Sequence, residues 1–159
     1  AKCDYVVKEL GFDACVDYKA GPVDPALKAA VPAGVDVYFD NVGGEILDAV
    51  LRRVNTGARI PLCGLIAGYN GGDIPLRNVH SLLVNRVRLQ GFIVSDRMDL
   101  WPGAMRELAE HVASGRIKYR ETIAQGLESA PRAFIGMLKG ENFGKQLVMV
   151  SDTSRCLTP

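Results

Sequence analysis

A phenol in a glycine-rich stretch is the side chain of this sequence best suited to chemistry. Tyr69 lies within residues 64–72, which are rich in glycine and follow an apolar segment typical of a β-strand. A neutral phenol at a strand end can donate a hydrogen bond to a carbonyl or enolate oxygen and stabilise negative charge there. The alternative is a loop aromatic that packs on the rim of a site.

Three further segments combine small residues, polar tips and apolar side chains just after predicted strands. They are Tyr18-Lys19, residues 41–44 and residues 92–94, and the segment of Tyr69 itself begins at Cys63. Each segment alone could be an ordinary turn. Because ligands of parallel sheets bind beyond the carboxyl ends of the strands, the four segments together favour a flat ligand with polar edges, such as a nucleotide.

The sequence contains no complete phosphate-binding loop. Gly43-Gly44 lacks the third glycine of Gly-x-Gly-x-x-Gly, and residues 140–146 are one residue short of a P-loop and end in Gln. We therefore interpret residues 140–146 as a turn into the last strand. A nucleotide site in this sequence lacks its pyrophosphate loop.

The cysteines and histidines do not predict a metal centre. The chain has two histidines, and its cysteines form no Cys-x-x-Cys pair, so no tetrahedral zinc site is indicated. Scattered thiols favour a reduced, cytoplasmic setting. The four cysteines are Cys3, Cys15, Cys63 and Cys156.

The composition is typical of one soluble globular domain. The chain has 159 residues, with 19 Lys and Arg against 18 Asp and Glu, and 48% are hydrophobic. A net charge of +1 provides no field that would attract nucleic acid. No uncharged stretch approaches the ~18 apolar residues that span a bilayer, and the charged first ten residues do not resemble an export signal. The sequence therefore predicts neither a nucleic-acid partner nor a membrane protein.

Predicted helices and strands alternate along most of the chain. Helices are expected at 2–10, 25–31, 45–54, 79–85 and 98–114, and strands at 12–18, 35–40, 58–63 and 87–94. This alternation predicts a doubly wound α/β domain with a mostly parallel sheet covered on both faces. After Gly115 the pattern changes to an extended segment at 117–123, a helix at 128–139 and a strand at 146–150, and residues 151–159 are expected to fray.

Two motifs carry a family resemblance that covers the chain from Lys2 to about Val150. They are Asp-Asn-Val-Gly-Gly at residues 40–44 and Gly-Met-Leu-Lys-Gly-x-Asn at residues 136–142. With them, the sequence closely resembles the zinc-independent medium-chain reductases of the leukotriene B4 12-hydroxydehydrogenase (prostaglandin reductase) family.

The resemblance implies an NADPH-dependent enzyme that reduces the carbon–carbon double bond of α,β-unsaturated ketones and aldehydes without a metal, and that forms homodimers. Family chains carry a substrate-side domain, the first strand of the nucleotide fold and its glycine loop ahead of Lys2. We therefore expect a piece of a longer protein: a partial Rossmann-type domain at 1–115, a segment at 116–150 that returns to the absent substrate domain, and a tail at 151–159. Two alternatives remain: a quinone reductase of the same superfamily, or a non-enzymatic interaction module that retains the fold.

The resemblance also implies roles for individual residues. Lys2 and Tyr18 would meet the adenosine 2′-phosphate region, where a cation and a phenol suit a dianion. Asn41 would touch the cofactor at its strand end, Asn142 would approach it from the tail, and Tyr69 would hydrogen-bond the substrate carbonyl. The nicotinamide half would be lined by Cys63, Gly64, Leu65, Ile66, Ala67, Gly68, Tyr69, Phe92, Ile93 and Val94.

Overall fold

A three-stranded parallel sheet organises the N-terminal part of the chain. The structure is a computed structural model that describes residues 1–69 and 71–150. It divides into two units, one formed by Ala1 and residues 3–104 and the other by Lys2 and residues 105–150. Each unit is described separately.

The first unit begins with two helices and then alternates strands and helices, as the sequence predicts for that part. Its sheet has the order β1-β2-β3, and both pairings are parallel. The elements, in chain order, are α1 (Lys2–Lys8), α2 (Val23–Ala30), β1 (Val35–Val37), α3 (Gly44–Leu51), β2 (Val54–Leu62), α4 (His80–Val84), β3 (Arg88–Gly91) and α5 (Trp101–Ala113), the last of which continues into the second unit.

The central strand β2 contains a proline that a ladder does not favour. Pro61 cannot donate a backbone hydrogen bond, yet its carbonyl oxygen accepts one from the amide of Asp40 at 3.0 Å. A bridge between Asp40 and Leu62 then continues the pairing beyond the end of β1. β2 tolerates Pro61 because the carbonyl oxygen of the proline still accepts a hydrogen bond in the pairing.

The core of the first unit lies between α3 and β2. Leu47, Val50 and Leu51 are spaced as one face of a helix and pack in one cluster with Val54 and Ile60 of β2. Leu51 is 0% exposed. This cluster fixes α3 on the sheet, so the helix starts directly behind the carboxyl end of β1.

The strand predicted at 12–18 is wrong, because the structure gives no strand there. No described strand pairs with residues 12–18, so their backbone has no ladder to join. The segment ends instead in a local turn in which the Lys19 amide donates to the Asp17 carboxylate at 3.0 Å.

The strand predicted at 87–94 is too long. β3 ends at Gly91, and a 3-10 segment at Val94–Leu100 leads into α5. The carboxylate of Asp96 accepts a hydrogen bond from the amide of Ile93 at 3.1 Å. With this side-chain cap, helical turns begin at Val94, ahead of the helix predicted at 98–114.

The second unit contains a parallel strand–helix–strand arrangement. β4 (Glu121–Gln125) and β5 (Lys145–Met149) pair in parallel, and α6 (Ala130–Leu138) lies between them in sequence. The extended segment predicted at 117–123 therefore begins its ladder later, at Glu121. The tail predicted at 151–159 lies outside the described residues. No helix in the described ranges is long and apolar enough to cross a membrane.

Replacement of Leu51 by Ala should destabilise the full-length protein by about 3 kcal/mol, because it leaves a cavity in the core. The matched control is Leu83→Ala on α4, where the side chain is 78% exposed and the expected loss is below about 0.5 kcal/mol. Urea denaturation measures both free energies of unfolding. Equal losses in the two variants would contradict the position of the core.

Candidate functional site

The chain segments that follow β1 and β2 are joined by backbone hydrogen bonds at the carboxyl edge of the sheet. Parallel sheets place their ligand crevice at this edge. Four bonds connect the two segments: Cys63 N and Gly64 N to Asp40 O at 2.8 and 3.2 Å, Ile66 N to Asn41 O at 3.2 Å and Ala67 N to Val42 O at 3.1 Å. Two of the sequence-predicted segments, 41–44 and 63–69, therefore form one surface.

A buried carboxylate holds the turn after β1. Asp40 is 0% exposed. Its Oδ1 atom accepts hydrogen bonds from the Tyr38 hydroxyl at 3.0 Å, the Val42 amide at 2.8 Å and the Gly43 amide at 2.9 Å. Burial, together with the neighbouring Asp40 charge, raises the pKa of the Tyr38 phenol, so this phenol keeps its proton and remains a donor at neutral pH.

Glycines let the two segments approach each other closely. Gly43 has φ 69° and ψ −154°, a region that is essentially confined to glycine. A Cβ at Gly43 would lie 2.6 Å from Cδ2 of Leu65, and a Cβ at Gly64 would lie 3.2 Å from the carbonyl oxygen of Asn41. A side chain at Gly64 would therefore press on the backbone of the other segment, whereas one at Gly43 would displace the Leu65 side chain.

A cavity of about 820 Å³ opens beside this surface. The first turn of α3 contributes backbone at Gly44 and Glu45, and a helix N-terminus favours negative or polar ligand groups. The cavity is lined by Tyr18, Val42, Gly43, Gly44, Glu45, Ile46, Asp48, Ile66, Ala67, Asp73, Ile74, Pro75 and Arg77. Apolar walls with polar groups at a few points are typical of small-molecule sites.

A second buried carboxylate fixes the cavity wall at residues 73–78. Asp48 lies on α3, and its Oδ1 accepts from the backbone amides of Arg77 at 2.8 Å and Asn78 at 3.1 Å. The Asn78 side-chain amide in turn donates to the Asp48 carbonyl at 3.0 Å. These three bonds attach the wall to the same helix that closes the core.

The predicted site residues of the first unit fall into distinct places. Tyr18, Ile66 and Ala67 line the cavity. Tyr69 ends the 3-10 turn at Ile66–Gly68, where its amide donates to Ile66 O at 3.2 Å, and its side chain is 72% exposed. An exposed phenol at a strand end can reach a ligand that lies over the edge of the sheet.

The segment after β3 also lies at the carboxyl end of the sheet. The Phe92 ring contacts Phe39 edge to face with 6.0 Å between centroids, and its amide donates to the carbonyl of Leu62 at 3.2 Å. Ile93 and Val94 are exposed. These side chains offer an apolar surface beyond β2 and β3.

Lys2 and Asn142 belong to the second unit. The Lys2 ammonium donates to the carbonyl of Gly140 at 2.6 Å, and the Asn142 amide donates to the carbonyl of Gly144 at 2.7 Å. The two side chains that were predicted to contact the cofactor therefore donate to backbone carbonyls within residues 140–144.

Sequence reasoning did not identify the two carboxylates that build the site. A signal for Asp40 was present, because Asp followed by a glycine-containing turn commonly accepts its own downstream amides. Asp48 gave no local signal, since its partners Arg77 and Asn78 lie 29 and 30 residues further along the chain. The wall at 73–75 was missed for the same reason.

A family model described as zinc-binding dehydrogenase matches residues 2–110. The chain belongs to the zinc-binding dehydrogenase family. Within residues 1–69 and 71–150 the structure places no group of three or more His, Cys, Asp and Glu side chains that could hold a metal ion. The similar proteins include NADP-dependent reductases, which confirms the resemblance to medium-chain reductases.

Two curated relatives illustrate this kinship. The NADPH-dependent curcumin reductase of Escherichia coli is 43% identical over 157 residues, which cover 94% of this chain and 46% of that protein. The NADP⁺-dependent 2-alkenal reductase of Nicotiana tabacum is 41% identical over 152 residues, covering 94% and 44%. The chain spans about half the length of the curated relatives it matches.

A solved structure confirms the fold. CurA from Vibrio vulnificus in complex with NADPH has a TM-score of 0.87 and 43% sequence identity, covering 95% of this chain and 47% of that one. The family fold is therefore the expected Rossmann-type α/β arrangement with parallel strands. As in the sequence-based expectation, the match concerns one part of a longer relative.

Replacement of Gly43 by Ala should cost about 3 kcal/mol of stability, because the substitution combines backbone strain with overlap onto Leu65. The control is Gly115→Ala, which has a similar φ of 72° but nothing within 4 Å of the added Cβ and should cost about 1 kcal/mol. Denaturation of both full-length variants gives the difference. A loss at Gly43 no larger than at Gly115 would show that the Leu65 side chain moves aside freely and that the Gly43 backbone adds no extra strain.

Proposed function

We propose that this chain is the cofactor-binding portion of an NADPH-dependent oxidoreductase that reduces the carbon–carbon double bond of α,β-unsaturated ketones and aldehydes. The supporting observation is the glycine-lined surface at the strand ends beside a cavity that includes Tyr18. This surface belongs to a chain that matches an NADPH complex over 95% of its residues at 43% identity.

The cavity fits the adenosine end of such a cofactor. Ile46, Ile66 and Ile74 provide apolar walls suited to a flat base. The carboxylates of Glu45 and Asp73 can accept from ribose hydroxyls. We assign Tyr18, with Lys2 as the resemblance implies, to the 2′-phosphate, because a phenol and an ammonium donate to phosphate oxygens.

The joined segments at the strand ends suit the nicotinamide half. Asn41 and Gly64 approach each other without an intervening side chain, so a flat ring can lie close to the backbone. We assign the segment 63–69, the apolar residues Phe92, Ile93 and Val94, and Asn142 to this half, as the resemblance implies. All of these residues are uncharged, so they can contact a ring without placing a charge beside it.

Tyr69 is the residue to which we assign charge stabilisation. NADPH, when bound, supplies the hydride that adds to the β-carbon of the substrate. The Tyr69 hydroxyl donates a hydrogen bond to the substrate carbonyl oxygen, where negative charge develops as the double bond is reduced. The proton at the α-carbon comes from solvent. The remaining lining residues fix the orientation of the two reactants.

The wider assignments follow from the same proposal. The partner is a small-molecule enone, and residues 1–115 form a partial dinucleotide-binding domain while residues 116–150 pack toward a substrate domain. A homodimer in the cytoplasm is proposed from family analogy.

Tyr69→Phe in the full-length protein should lower kcat for enone reduction by about 100-fold, because the phenyl ring cannot donate to the developing oxyanion. The Kd for NADPH should stay within about twofold, since the hydroxyl is assigned to the substrate. Steady-state kinetics and NADPH fluorescence titration separate the two effects. An unchanged kcat would remove Tyr69 from the mechanism.

The 159-residue chain by itself should bind NADPH weakly and show no enone reduction, because its sequence contains no Gly-x-Gly-x-x-Gly loop for the pyrophosphate. NADPH fluorescence titration, with the full-length protein as the control, measures the first property and an enone turnover assay the second. Robust turnover by the 159-residue chain would contradict the proposal that it is only the cofactor-binding portion of the enzyme.

A further inference from the structure

The cavity beside α3 has an unbalanced charge. Three carboxylates line it, those of Glu45, Asp48 and Asp73. Among the described residues of the lining, the one positively charged side chain is that of Arg77. A phosphate monoester carries about two negative charges at neutral pH, and the carboxylates repel it. The 2′-phosphate that distinguishes NADPH from NADH therefore requires a cation in this lining.

The backbone of Arg77 is anchored at the boundary of two cavities. Its amide donates to Oδ1 of Asp48 at 2.8 Å, and the amide of Asn78 donates to the same atom at 3.1 Å. Arg77 lines the large cavity and also a smaller one of about 250 Å³, to which Asp24 and Arg52 contribute. The hydrogen bonds of Asp48 thus keep this arginine beside the first turns of α3.

The guanidinium of Arg77 has no protein partner in the part of the chain that the structure describes. Three carboxylates line the same cavity, yet none of them forms an ion pair or hydrogen bond with it. By contrast, the guanidinium of Arg53 pairs with the Asp24 carboxylate at 3.1 Å. An exposed guanidinium with unused donors can present its planar fork to the oxygens of a phosphate.

The two residues that the resemblance assigns to the 2′-phosphate do not supply this charge within the lining. Tyr18 lines the cavity, but a phenol donates a hydrogen bond without adding positive charge. Lys2 belongs to the second unit, where its ammonium donates to the carbonyl of Gly140 at 2.6 Å. The cation that offsets the carboxylates of the cavity is therefore Arg77.

We propose that Arg77 determines the preference for NADPH over NADH by binding the 2′-phosphate in this cavity. The inference rests on the proposed NADPH function. The guanidinium donates two hydrogen bonds to phosphate oxygens, and the Tyr18 hydroxyl donates a third. Without Arg77, the carboxylates of Glu45 and Asp73 repel the phosphate but still accept from the ribose hydroxyls that NADH leaves unmodified.

Isothermal titration calorimetry of the full-length protein with 2′,5′-ADP and 5′-AMP tests the proposal, because these nucleotides differ only by the 2′-phosphate. Wild-type protein should bind 2′,5′-ADP more tightly. Arg77→Gln should weaken that binding at least about tenfold, since charge-assisted hydrogen bonds are lost, and should leave the Kd of 5′-AMP within about twofold. Arg77→Lys should retain part of the preference, because an ammonium keeps the charge but not the planar fork.

Arg52→Gln is the matched control. It removes the same charge from the neighbouring smaller cavity, where Arg52 lies 3.8 Å from the Asp24 carboxylate, and it does not alter the lining of the large one. The ratio of the two Kd values should change by less than about twofold. Thermal unfolding of Arg77→Gln should match that of wild type, because Arg77 is exposed.

Two outcomes would overturn the role of Arg77 and leave the NADPH function intact. One is an Arg77→Gln variant that keeps the wild-type preference for 2′,5′-ADP. The other is an equal loss of affinity for both nucleotides, which would show that Arg77 only shapes the wall. Wild-type protein that binds the two nucleotides equally would instead contradict the NADPH function itself, and the role of Arg77 with it.

Discussion

The Asp40 carboxylate is the interaction on which the candidate site depends. One oxygen atom accepts from a phenol and two backbone amides, and the backbone carbonyl of the same residue accepts from the amides of Cys63 and Gly64. Asp40 therefore fixes the turn that starts α3 and also docks the glycine-rich segment after β2. Burying a carboxylate costs free energy unless hydrogen-bond donors compensate it. Asp40 and the turn that supplies its donors therefore depend on each other for stability.

The sequence predicted those elements whose apolar periodicity is local. Leu47, Val50 and Leu51 repeat at helical spacing, so α3 was predicted, although the prediction extended it to Val54, which is the first residue of β2. The strand-end segments at 41–44 and 63–69 were recognised from their small residues. The joining of these segments was not predictable in detail, because it depends on hydrogen bonds of Asp40 and on the fit of Leu65 against Gly43. The wall at 73–78 depends on Asp48, which acts across 29 residues.

Residues 12–18 show why propensity alone was insufficient. Val16 and Tyr18 favour extended structure, but a strand also requires a neighbour, and β1 pairs with β2 instead. The segment folds back on α1 through Gly11, and the Phe12 amide donates to the Val6 carbonyl at 3.2 Å.

Helix α3 has a double attachment with a thermodynamic consequence. One face carries Leu47, Val50 and Leu51 into the core, while Asp48 between them holds the wall of the cavity. A molecule that fills the cavity then stabilises the packed state of the whole unit by linkage. The converse also holds. Substitutions in the core that never touch a ligand change the affinity with which the cavity binds one. Selection on binding and selection on folding therefore act on the same eight residues.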